Sequence, residues 1–394
     1  MFILSMPPAR IETTRVLFDI SRLFRCRSNA FATGVDRIDL ALAFNLVRQF
    51  ADHCHFVHAG PAGPAIVDQA ASLALLAHLD KRWNDPSSGD LAPFSGRRFT
   101  ADAILRGLTR SEQRKLATAD TTYVVASHSG LGKVEGALKR LDPEQRMRRF
   151  VYLHDIIPLE MPEYQRPETR GAFERYLREL TDSPLVIASN SDDTDMRVRK
   201  LAAKEKWPVE TFTVLKPQLS QMPIKSGEPR PLVSAYLADP RPFFTIIGTI
   251  EPRKNHLLLL NLWRQLAEEC DAPPRLCIIG KRGWENENVL DMLDRCDAIK
   301  GLVTEFGSLS DTEVQLLMMR AEALLFPSFV EGLGIPLLEA AAMNLPCIVS
   351  DIPVFREVAP AGTIFLDPLD GPGWKRSIMS KTGKQHVPSP AGSL

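Results

Sequence analysis

The chain has 394 residues, of which 44% are hydrophobic, an ordinary composition for a globular protein with a full core. Basic and acidic residues balance at 48 each, which argues against a dedicated nucleic-acid binder because such proteins usually carry a basic excess. With about 150 residues per domain, this length predicts two or three domains.

The cysteines and the N-terminus predict where the protein works. Six cysteines are scattered along the chain without a C-x-x-C pair, which favours reduced thiols over a disulfide framework. The start, MFILSMPPARIETTR, lacks the basic region and apolar run of a signal peptide, and no stretch reaches the roughly 18 apolar residues of a membrane span. We expect a cytoplasmic protein, attached to the inner face of the plasma membrane at most peripherally.

Short apolar runs alternate with helical patterns along the first half of the chain. A helix is predicted at 37–50, RIDLALAFNLVRQF, where apolar residues recur at helical spacing. Strands are predicted at RVLFDI (15–20), HFVHAG (55–60), TTYVVASH (121–128), RFVYLHDIIP (149–158) and SPLVIASNS (183–191). This alternation is typical of a parallel α/β sheet, and we assign residues 1–221 to a first Rossmann-like domain.

The alternation restarts after a stretch with five prolines, 222–242, which we interpret as an interdomain linker. Strands are predicted at 243–248, 275–280, 302–307, 323–328 and 347–351, and helices at 256–269, 288–296, 313–323 and 335–343. Ser310 and Glu313 form the capping box of the third helix. We therefore predict a second, doubly wound domain over 243–378 and a disordered tail over 379–394.

The loop GTIEPRKNH (248–256) follows the first strand of the second domain. Gly248 permits a tight exit from the strand, and Arg253 and Lys254 stand at the start of a helix. Two cations beside free backbone N–H groups make an anion site that suits phosphate. The alternative is a solvated helix start, although cations at that end oppose the helix dipole.

The stretch EGLGIPLLEA (331–340) places a glycine-rich turn before a helix that begins with Pro336. Gly332 and Gly334 would let the backbone approach a ligand. Glu331 in the loop and Glu339 one turn into the helix could accept hydrogen bonds from sugar and ribose hydroxyls on either side of a phosphate. The alternative is a glycine turn with two surface glutamates.

Weaker signals lie elsewhere. In GKRGWENE (280–287), Lys281 and Arg282 either assist the phosphates or are only solvated. His154 follows a strand and could bond a sugar hydroxyl or phosphate, with Asp155 orienting it, although a lone histidine is more often structural. SDDTD (191–195) favours helix capping over metal binding.

Two further stretches could bind a ligand or could have only a structural role. The histidines of HCHFVH (53–58) fit strand alternation better than a metal site, so no metal is expected. The net basic stretch KRLDPEQRMRR (139–149) is expected to be a solvated face, with contact to anionic lipid as the alternative.

Taken together, these motifs resemble the large retaining glycosyltransferase family (group 1, family 4 type) that includes bacterial lipopolysaccharide, exopolysaccharide and capsule mannosyltransferases. The resemblance rests on G-T-x-E-P-R-K-N and on F-P-S-x-x-E-G-x-G-x-P-x-x-E-A, with the two glutamates eight residues apart. The first domain matches more loosely, through FDIS (18–21), TGVDR (33–37), HDIIPLEMPE (154–163) and ASNS (188–191). The resemblance implies an α/β GT-B fold, two Rossmann-like doubly wound domains facing across a cleft.

The resemblance also implies roles for individual residues. Glu331 would contact the donor sugar and Glu339 the ribose, while Lys254 with Arg253 would hold the pyrophosphate. The implied donor-binding set comprises Gly34, Gly248, Arg253, Lys254, Glu331, Gly332, Leu333, Gly334, Ile335 and Glu339. The implied catalytic residues are Glu331, His154 and Lys254, and the implied acceptor-side residues are His154 and Asp155.

The function implied is transfer of a hexose from a nucleotide-diphosphate sugar, with retention and without a cofactor or metal, to a lipid-linked or polysaccharide acceptor. Mannose from GDP-mannose is the first candidate. A nucleotide-sugar epimerase of the same fold and a truncated, inactive donor-binding paralogue are the alternatives. Three departures from the family pattern accompany the resemblance: Thr249 replaces an arginine, Asn344 replaces a glycine, and the helical pattern fades after about Ile378.

Overall fold

The computed structural model describes residues 2–9, 11–60, 63–84, 107–128, 130–132, 134–221 and 228–382. The chain divides into two compact units. The N-terminal unit contains Ile3–Pro162 and Pro167–Gln218. The C-terminal unit contains the chain from Leu219 onward, together with Phe2 and the short segment Glu163–Arg166.

The N-terminal unit is built on a sheet of seven strands in the order β4-β3-β2-β5-β6-β7-β8. Its strands are β2 (Arg15–Asp19), β3 (Cys54–Gly60), β4 (Gly63–Val67), β5 (Thr121–Val125), β6 (Arg148–Leu153), β7 (Leu185–Ser189) and β8 (Val209–Val214). All neighbours pair in parallel except β4, which runs antiparallel to β3. The strand order reverses between β2 and β5, so the loops that follow these two strands lie at a topological switch point.

The helices described in this unit are α1 (Ser21–Arg25), α2 (Gly34–Phe50), α3 (Gln69–Asn84), α4 (Arg110–Leu116), α5 (Ala137–Leu141), α6 (Ile157–Glu160), α7 (Pro167–Leu180) and α8 (Asp192–Glu205). Helix α2 begins three residues before its predicted start because Thr33 and Asp36 form a capping box. Its buried face includes Ile38, Leu42 and Leu46, which confirms the predicted apolar stripe.

The C-terminal unit is built on six parallel strands in the order β12-β11-β10-β13-β14-β15, which confirms a doubly wound Rossmann-like sheet. Its strands are β10 (Phe243–Ile247), β11 (Arg275–Ile279), β12 (Val303–Phe306), β13 (Leu324–Phe326), β14 (Cys347–Ser350) and β15 (Ile364–Leu366). Its helices are α9 (Pro231–Ala238), α10 (His256–Glu269), α11 (Glu287–Arg295), α12 (Asp311–Arg320), α13 (Ile335–Ala342), α14 (Pro353–Val358) and α15 (Gly371–Lys381). Two further strands, β1 (Phe2–Ser5) and β9 (Gln218–Gln221), lie outside both large sheets.

Helices cover both faces of the C-terminal sheet, and this explains its continuous apolar strands. Along β10, Phe243 joins one core cluster with Phe326 and Leu337. The next residue, Phe244, joins the opposite cluster with Trp263. Successive side chains of a strand point to opposite faces, so both faces of this strand need apolar residues.

The stretch predicted as a linker, 222–242, contains helix α9. Val233 and Tyr236 of this helix are buried in the core of the C-terminal unit, and the guanidinium of Arg275 lies 4.3 Å from the Tyr236 ring centroid. The prolines therefore start a packed helix, since Pro231 suits the first helical turn. Residues 222–227 lie outside the described residues.

The tail predicted to be disordered from 379 begins inside a helix. Helix α15 continues to Lys381, and its Trp374 and Ile378 are fully buried against the sheet. The predicted disorder of residues 383–394 concerns a segment outside the described residues.

Four further predictions concern the end of strand β6, the basic stretch 139–149, the conformation of Asn344 and membrane-spanning helices. The strand predicted at 149–158 ends at Leu153, and Pro158 instead lies in α6. The basic stretch 139–149 is not a solvated face throughout, because Arg149 is buried, where it pairs with Asp182. Asn344 adopts the left-handed conformation (φ +54°), as glycine would. Among the described helices, none has the length and apolar character needed to cross a bilayer.

Candidate functional site

The two motif loops of the C-terminal unit leave neighbouring strands. Strand β10 pairs with β11 on one side and with β13 on the other, so the strand order reverses between β10 and β13. Ligands of open α/β sheets bind at such a switch point, beyond the carboxyl ends of the strands. The backbone N–H of Phe329 in the second loop donates to the carbonyl of Arg253 in the first, at 2.8 Å. The fold thus joins two motifs that are 77 residues apart between Lys254 and Glu331.

The carboxylate of Glu331 is the centre of this site and is only 5% exposed. Its Oε1 accepts hydrogen bonds from Lys254 Nζ at 2.5 Å and from Ser328 Oγ at 2.8 Å. Its Oε2 lies 2.6 Å from Arg253 Nη1. The other end of the Arg253 guanidinium lies 2.6 Å from Glu251 Oε1. One buried and one half-buried cation, together with two buried carboxylates, therefore form one charge-balanced cluster.

The charge balance decides the protonation of the cluster. Burial alone would raise the pKa of Glu331, but Arg253 and Lys254 lower it to about 2 through their charges and hydrogen bonds. Burial lowers the pKa of Lys254, and the negative charge of Glu331 opposes that shift. We therefore describe the pair as ionised, because each charge is compensated at hydrogen-bond distance.

The surroundings of Lys254 explain two motif residues. Its ammonium lies 4.5 Å from the ring centroid of Phe326, a cation–π contact at the end of β13. Gly248 has φ +143°, and a Cβ at that position would lie 3.2 Å from Lys254 Cε. Gly248 is therefore needed for its backbone conformation and for the space that the lysine occupies.

Helix α13 starts from Gly334, whose φ of +88° is left-handed. A Cβ there would also lie 2.9 Å from Cε1 of the fully buried Phe355. Packing therefore requires this glycine, in addition to any approach by a ligand. Pro336 lies in the first helical turn, as predicted, and Glu339 is half-buried in the next turn. Of the other predicted donor-site residues, Gly332 and Leu333 are buried and Ile335 is half-buried.

The third loop, after β11, supports the first. Gly283 N–H donates to the carbonyl of Ile250 at 3.0 Å. Arg282 pairs with Asp294 at 2.6 Å and with Glu305 at 2.7 Å, so its charge is already compensated. Lys281 is exposed. Arg282 thus forms ion pairs that neither of the two open interpretations included, and its part in phosphate binding stays a prediction.

In the N-terminal unit, His154 follows β6, but the neighbouring Asp155 does not orient its ring. Asp155 Oδ1 accepts a hydrogen bond from Ile157 N–H at 3.0 Å, which fixes the turn into α6. The carboxylate beside the imidazole belongs to Asp39 of α2, whose Oδ1 is 3.5 Å from His154 Nε2. The other oxygen of Asp39 accepts a hydrogen bond from Ser127 Oγ at 2.5 Å.

A small cavity of about 80 Å³ lies beside this histidine. Its polar lining includes Arg22 after β2, Ser127 and His128 after β5, and His154 after β6. The cavity therefore lies at the switch point of the N-terminal sheet. Gly34, also predicted to approach the donor, is the half-buried first residue of α2.

Sequence reasoning missed Asp39, Ser127, Glu251 and Ser328. A signal existed for Asp39, because a carboxylate interrupts the apolar stripe of α2 in RIDLALAF. Glu251 and Ser328 are letters of the two quoted motifs, but the motifs alone assign them no role. The predicted cap at SDDTD is confirmed, since Ser191 Oγ accepts from Thr194 N–H. Across the described ranges, no three or more His, Cys, Asp or Glu side chains cluster as metal ligands would.

Residues 234–368 match the family model described as glycosyl transferases group 1. The chain is 28% identical over 230 residues to O-antigen chain mannosyltransferase B of Escherichia coli, covering 58% of this chain and 59% of that protein. It is 32% identical over 218 residues to the serotype-specific mannosyltransferase WbdA of E. coli, covering 52% and 26% of the two chains. It is 34% identical over 142 residues to the O-antigen chain mannosyltransferase RfbU of Salmonella typhimurium, covering 34% and 37%. The chain thus spans less than two thirds of each of these relatives.

Solved structures share the fold at low sequence identity. The chain superposes on Anabaena HepE in complex with UDP-glucose with a TM-score of 0.56 and 15% identity, covering 93% of this chain and 91% of the other. The sucrose-phosphate synthase of Thermosynechococcus elongatus gives a TM-score of 0.54 at 14% identity, covering 93% and 89%. These matches confirm the expected α/β fold of GT-B type with two Rossmann-like domains.

Proposed function

We propose that the protein is a glycosyltransferase that uses a nucleotide-diphosphate sugar, because residues 234–368 match the family model described as glycosyl transferases group 1. The sugar is a hexose, with mannose from GDP-mannose as the first candidate, and the acceptor is a lipid-linked or polysaccharide glycan such as O-antigen. The names of the three relatives, all mannosyltransferases, support this choice. The enzyme meets lipid-linked acceptors by peripheral contact with the cytoplasmic face of the membrane.

The observation that carries the proposal is the buried cluster of Arg253, Lys254 and Glu331 at the switch point of the family-matched domain. Lys254 and Arg253 hold the pyrophosphate, while Glu331 holds both cations in place and contacts the donor sugar. Glu339 binds the ribose. In this arrangement the donor phosphates add to an existing network, so both cations are oriented before the ligand arrives.

The same cluster supports transfer without a covalent sugar–enzyme intermediate. Both oxygens of Glu331 are occupied by cations, and a carboxylate with a pKa near 2 is a weak nucleophile. The bond from the sugar to the diphosphate breaks while Lys254 and Arg253 stabilise the charge that grows on the leaving phosphate. The acceptor oxygen then bonds to the anomeric carbon on the same face while the leaving phosphate takes the acceptor proton, which gives retention. For the N-terminal unit taken by itself, the proposed role of His154 is contact with a sugar.

Calorimetric titration with GDP-, UDP- and ADP-sugars tests the donor site. We expect Lys254→Met to weaken binding of the preferred donor at least tenfold, since hydrogen bonds to charged groups contribute about 1.5–3 kcal/mol. Lys300→Ala, which removes an exposed lysine of the same unit, is the matched control and should leave affinity unchanged. Because Lys254→Met leaves Glu331 with one cation fewer, the double variant Lys254→Met/Glu331→Gln separates lost binding from lost folding.

Affinity that is unchanged in both Lys254 variants would refute the assignment of the donor site. A sugar-transfer assay on lipid extracts then distinguishes the activities. Transfer of label from the donor to a glycan is the expected result. Donor turnover without an acceptor would indicate the epimerase alternative, and binding without turnover would indicate a donor-binding protein.

A further inference from the structure

Two buried atoms without hydrogen bonds face each other in the N-terminal unit. His154 Nε2 and Asp39 Oδ1 are 3.5 Å apart, and neither has a hydrogen-bond partner within the described part of the chain. The imidazole is 14% exposed and the carboxylate 2%. Buried polar atoms are nearly always satisfied, so a complementary pair left at this distance requires an explanation.

Both members of the pair are held by further contacts. Ser127 Oγ donates to Asp39 Oδ2 at 2.5 Å, which leaves only Oδ1 for the histidine. The carbonyl of His154 accepts a hydrogen bond from Asn190 Nδ2 at 2.8 Å. The Tyr152 ring meets the imidazole edge-on, with centroids 5.1 Å apart. The two groups therefore have little freedom to turn away from each other.

The pair lies at the switch point of the N-terminal sheet, where a ligand is expected. The cavity beside it is also lined by Arg22 and His128. The Arg22 guanidinium donates from Nε to Asp36 at 2.7 Å, so its charge is compensated inside the protein. The burial of His128 lowers its pKa to about 4, so this imidazole is neutral near pH 7. The lining also includes the carboxylate of Asp155, so the cavity suits an uncharged ligand with hydroxyl groups better than an anion.

We propose that Asp39 is a positioning residue for His154. When the cavity is filled, the pair closes from 3.5 Å and Asp39 Oδ1 accepts a hydrogen bond from His154 Nε2–H. Apo structures often show such catalytic hydrogen bonds stretched. Nδ1 then keeps its lone pair and accepts a hydrogen bond from a sugar hydroxyl in the cavity. A carboxylate behind an imidazole fixes its tautomer and orientation in this way. This inference rests on the proposed transferase function.

A double-mutant cycle in the full-length protein tests the positioning role. We expect Asp39→Ala to lower kcat for sugar transfer about 10–100-fold, by analogy with the loss seen when the partner of a metal-ligating histidine is removed. GDP affinity should stay within twofold, because no nucleotide contact is assigned to Asp39. The variant Asp39→Ala/His154→Gln should be no slower than His154→Gln, since Asp39 acts through His154. Asp52→Ala, an exposed aspartate of the same unit, is the control.

Nitrogen-15 NMR of the histidine side chains supplies a second readout that needs no activity. At pH 9 we expect His154, assigned by its loss in His154→Gln, to be the Nε2–H tautomer. Asp39→Ala should shift it toward a mixture. Wild-type kcat in Asp39→Ala, multiplicative losses in the double variant, or an Nδ1–H tautomer in the wild type would each overturn the positioning role. A wild-type protein that transfers no sugar would refute the proposed function instead, and the tautomer would still decide the pairing.

Discussion

At the scale of single residues, the ionised groups around Glu331 are tolerated in the interior because each of them has a partner of opposite charge. Glu331 is nearly inaccessible, and its two oxygens face two cations. Removing one partner of a buried pair typically costs about 3–5 kcal/mol, because the other charge stays buried without compensation. The same compensation keeps Lys254 and Arg253 in fixed positions, which a phosphate ligand requires.

The pH dependence of stability should report the Glu331 cluster. Its pKa is lowered from 4.5 to about 2, so its contribution is present above about pH 4.5 and is lost as pH falls toward 2. We expect a loss on the order of 3 kcal/mol between pH 5 and pH 2 that Glu331→Gln does not show. Urea unfolding at several pH values measures this, with the exposed Glu268→Gln as control. Equal pH profiles for Glu331→Gln and wild type would contradict the cluster's role.

The buried Asp19 should give a pH dependence of stability that is opposite in sign to that of Glu331. Burial raises its pKa to about 6 against the hydrogen bonds from Ser21 and Tyr123. A raised pKa means that stability is highest below about pH 4 and falls as pH rises through 6. Asp19→Asn should remove this dependence, which is on the order of 3 kcal/mol, whereas Asp52→Asn should keep it. The same urea series tests this, and a wild-type stability that rises between pH 4 and 7 by an amount dependent on Asp19 would refute it.

At the scale of elements, the starts of helices carry the site. Helix α13 begins at a left-handed glycine, α2 begins at a capping box, and the turn that holds Arg253 and Lys254 ends at the left-handed Asn255 just before α10. These left-handed residues and the capping box set the direction of each loop, whereas the strands fix only where each loop begins. Backbone conformation at two or three residues thus decides the position of the charged side chains.

Gly334→Ala tests this local control. The substitution imposes a left-handed alanine, about 1–2 kcal/mol, and places a Cβ 2.9 Å from Phe355. Overpacking of this kind adds about 1–3 kcal/mol. Gly362→Ala is the matched control, because Gly362 has φ +82° but no atom within 4 Å of its Cβ position. In thermal unfolding, we expect Gly334→Ala to destabilise the protein clearly more than Gly362→Ala. Equal effects would show that the Phe355 ring moves aside without a loss of stability.

At the scale of the whole molecule, each unit has its own core. Leu17 is fully buried in the cluster of the N-terminal unit, and Leu325 is fully buried in a cluster of the C-terminal unit. Multidomain proteins usually unfold in more than one step. A ligand that binds only one unit should therefore stabilise only that unit's transition.

We expect calorimetry to resolve two transitions. Leu325→Ala should destabilise the unit whose transition temperature a bound donor nucleotide raises, and Leu17→Ala should destabilise the other unit. Each substitution should lower the free energy of unfolding of its unit by about 2–5 kcal/mol. The two leucines are matched in size, burial and location on central strands. A single transition shifted equally by both substitutions would show that the units unfold together.

Much of the fold followed from local pattern. The helix predicted at 256–269 has those bounds in the structure, because its apolar spacing is a local signal. Helix α9 was not predicted, because the five prolines of 222–242 indicated a linker and only packing reveals the helix. The antiparallel edge strand β4, GPAIV, was missed because its glycine and proline are typical of turns.

The sequence by itself determined the alternation of strands and helices and the two motifs that carry Lys254 and Glu331, because periodicity and turn chemistry are written in neighbouring residues. It also determined that Gly248 and Gly334 would sit at strand exits and helix starts. Only the tertiary structure decided that the two cations are paired with Glu251 and Glu331, and that Asp39 rather than Asp155 faces His154. Such pairings join residues far apart in the chain, and strand order, which no local signal encodes, brings them together.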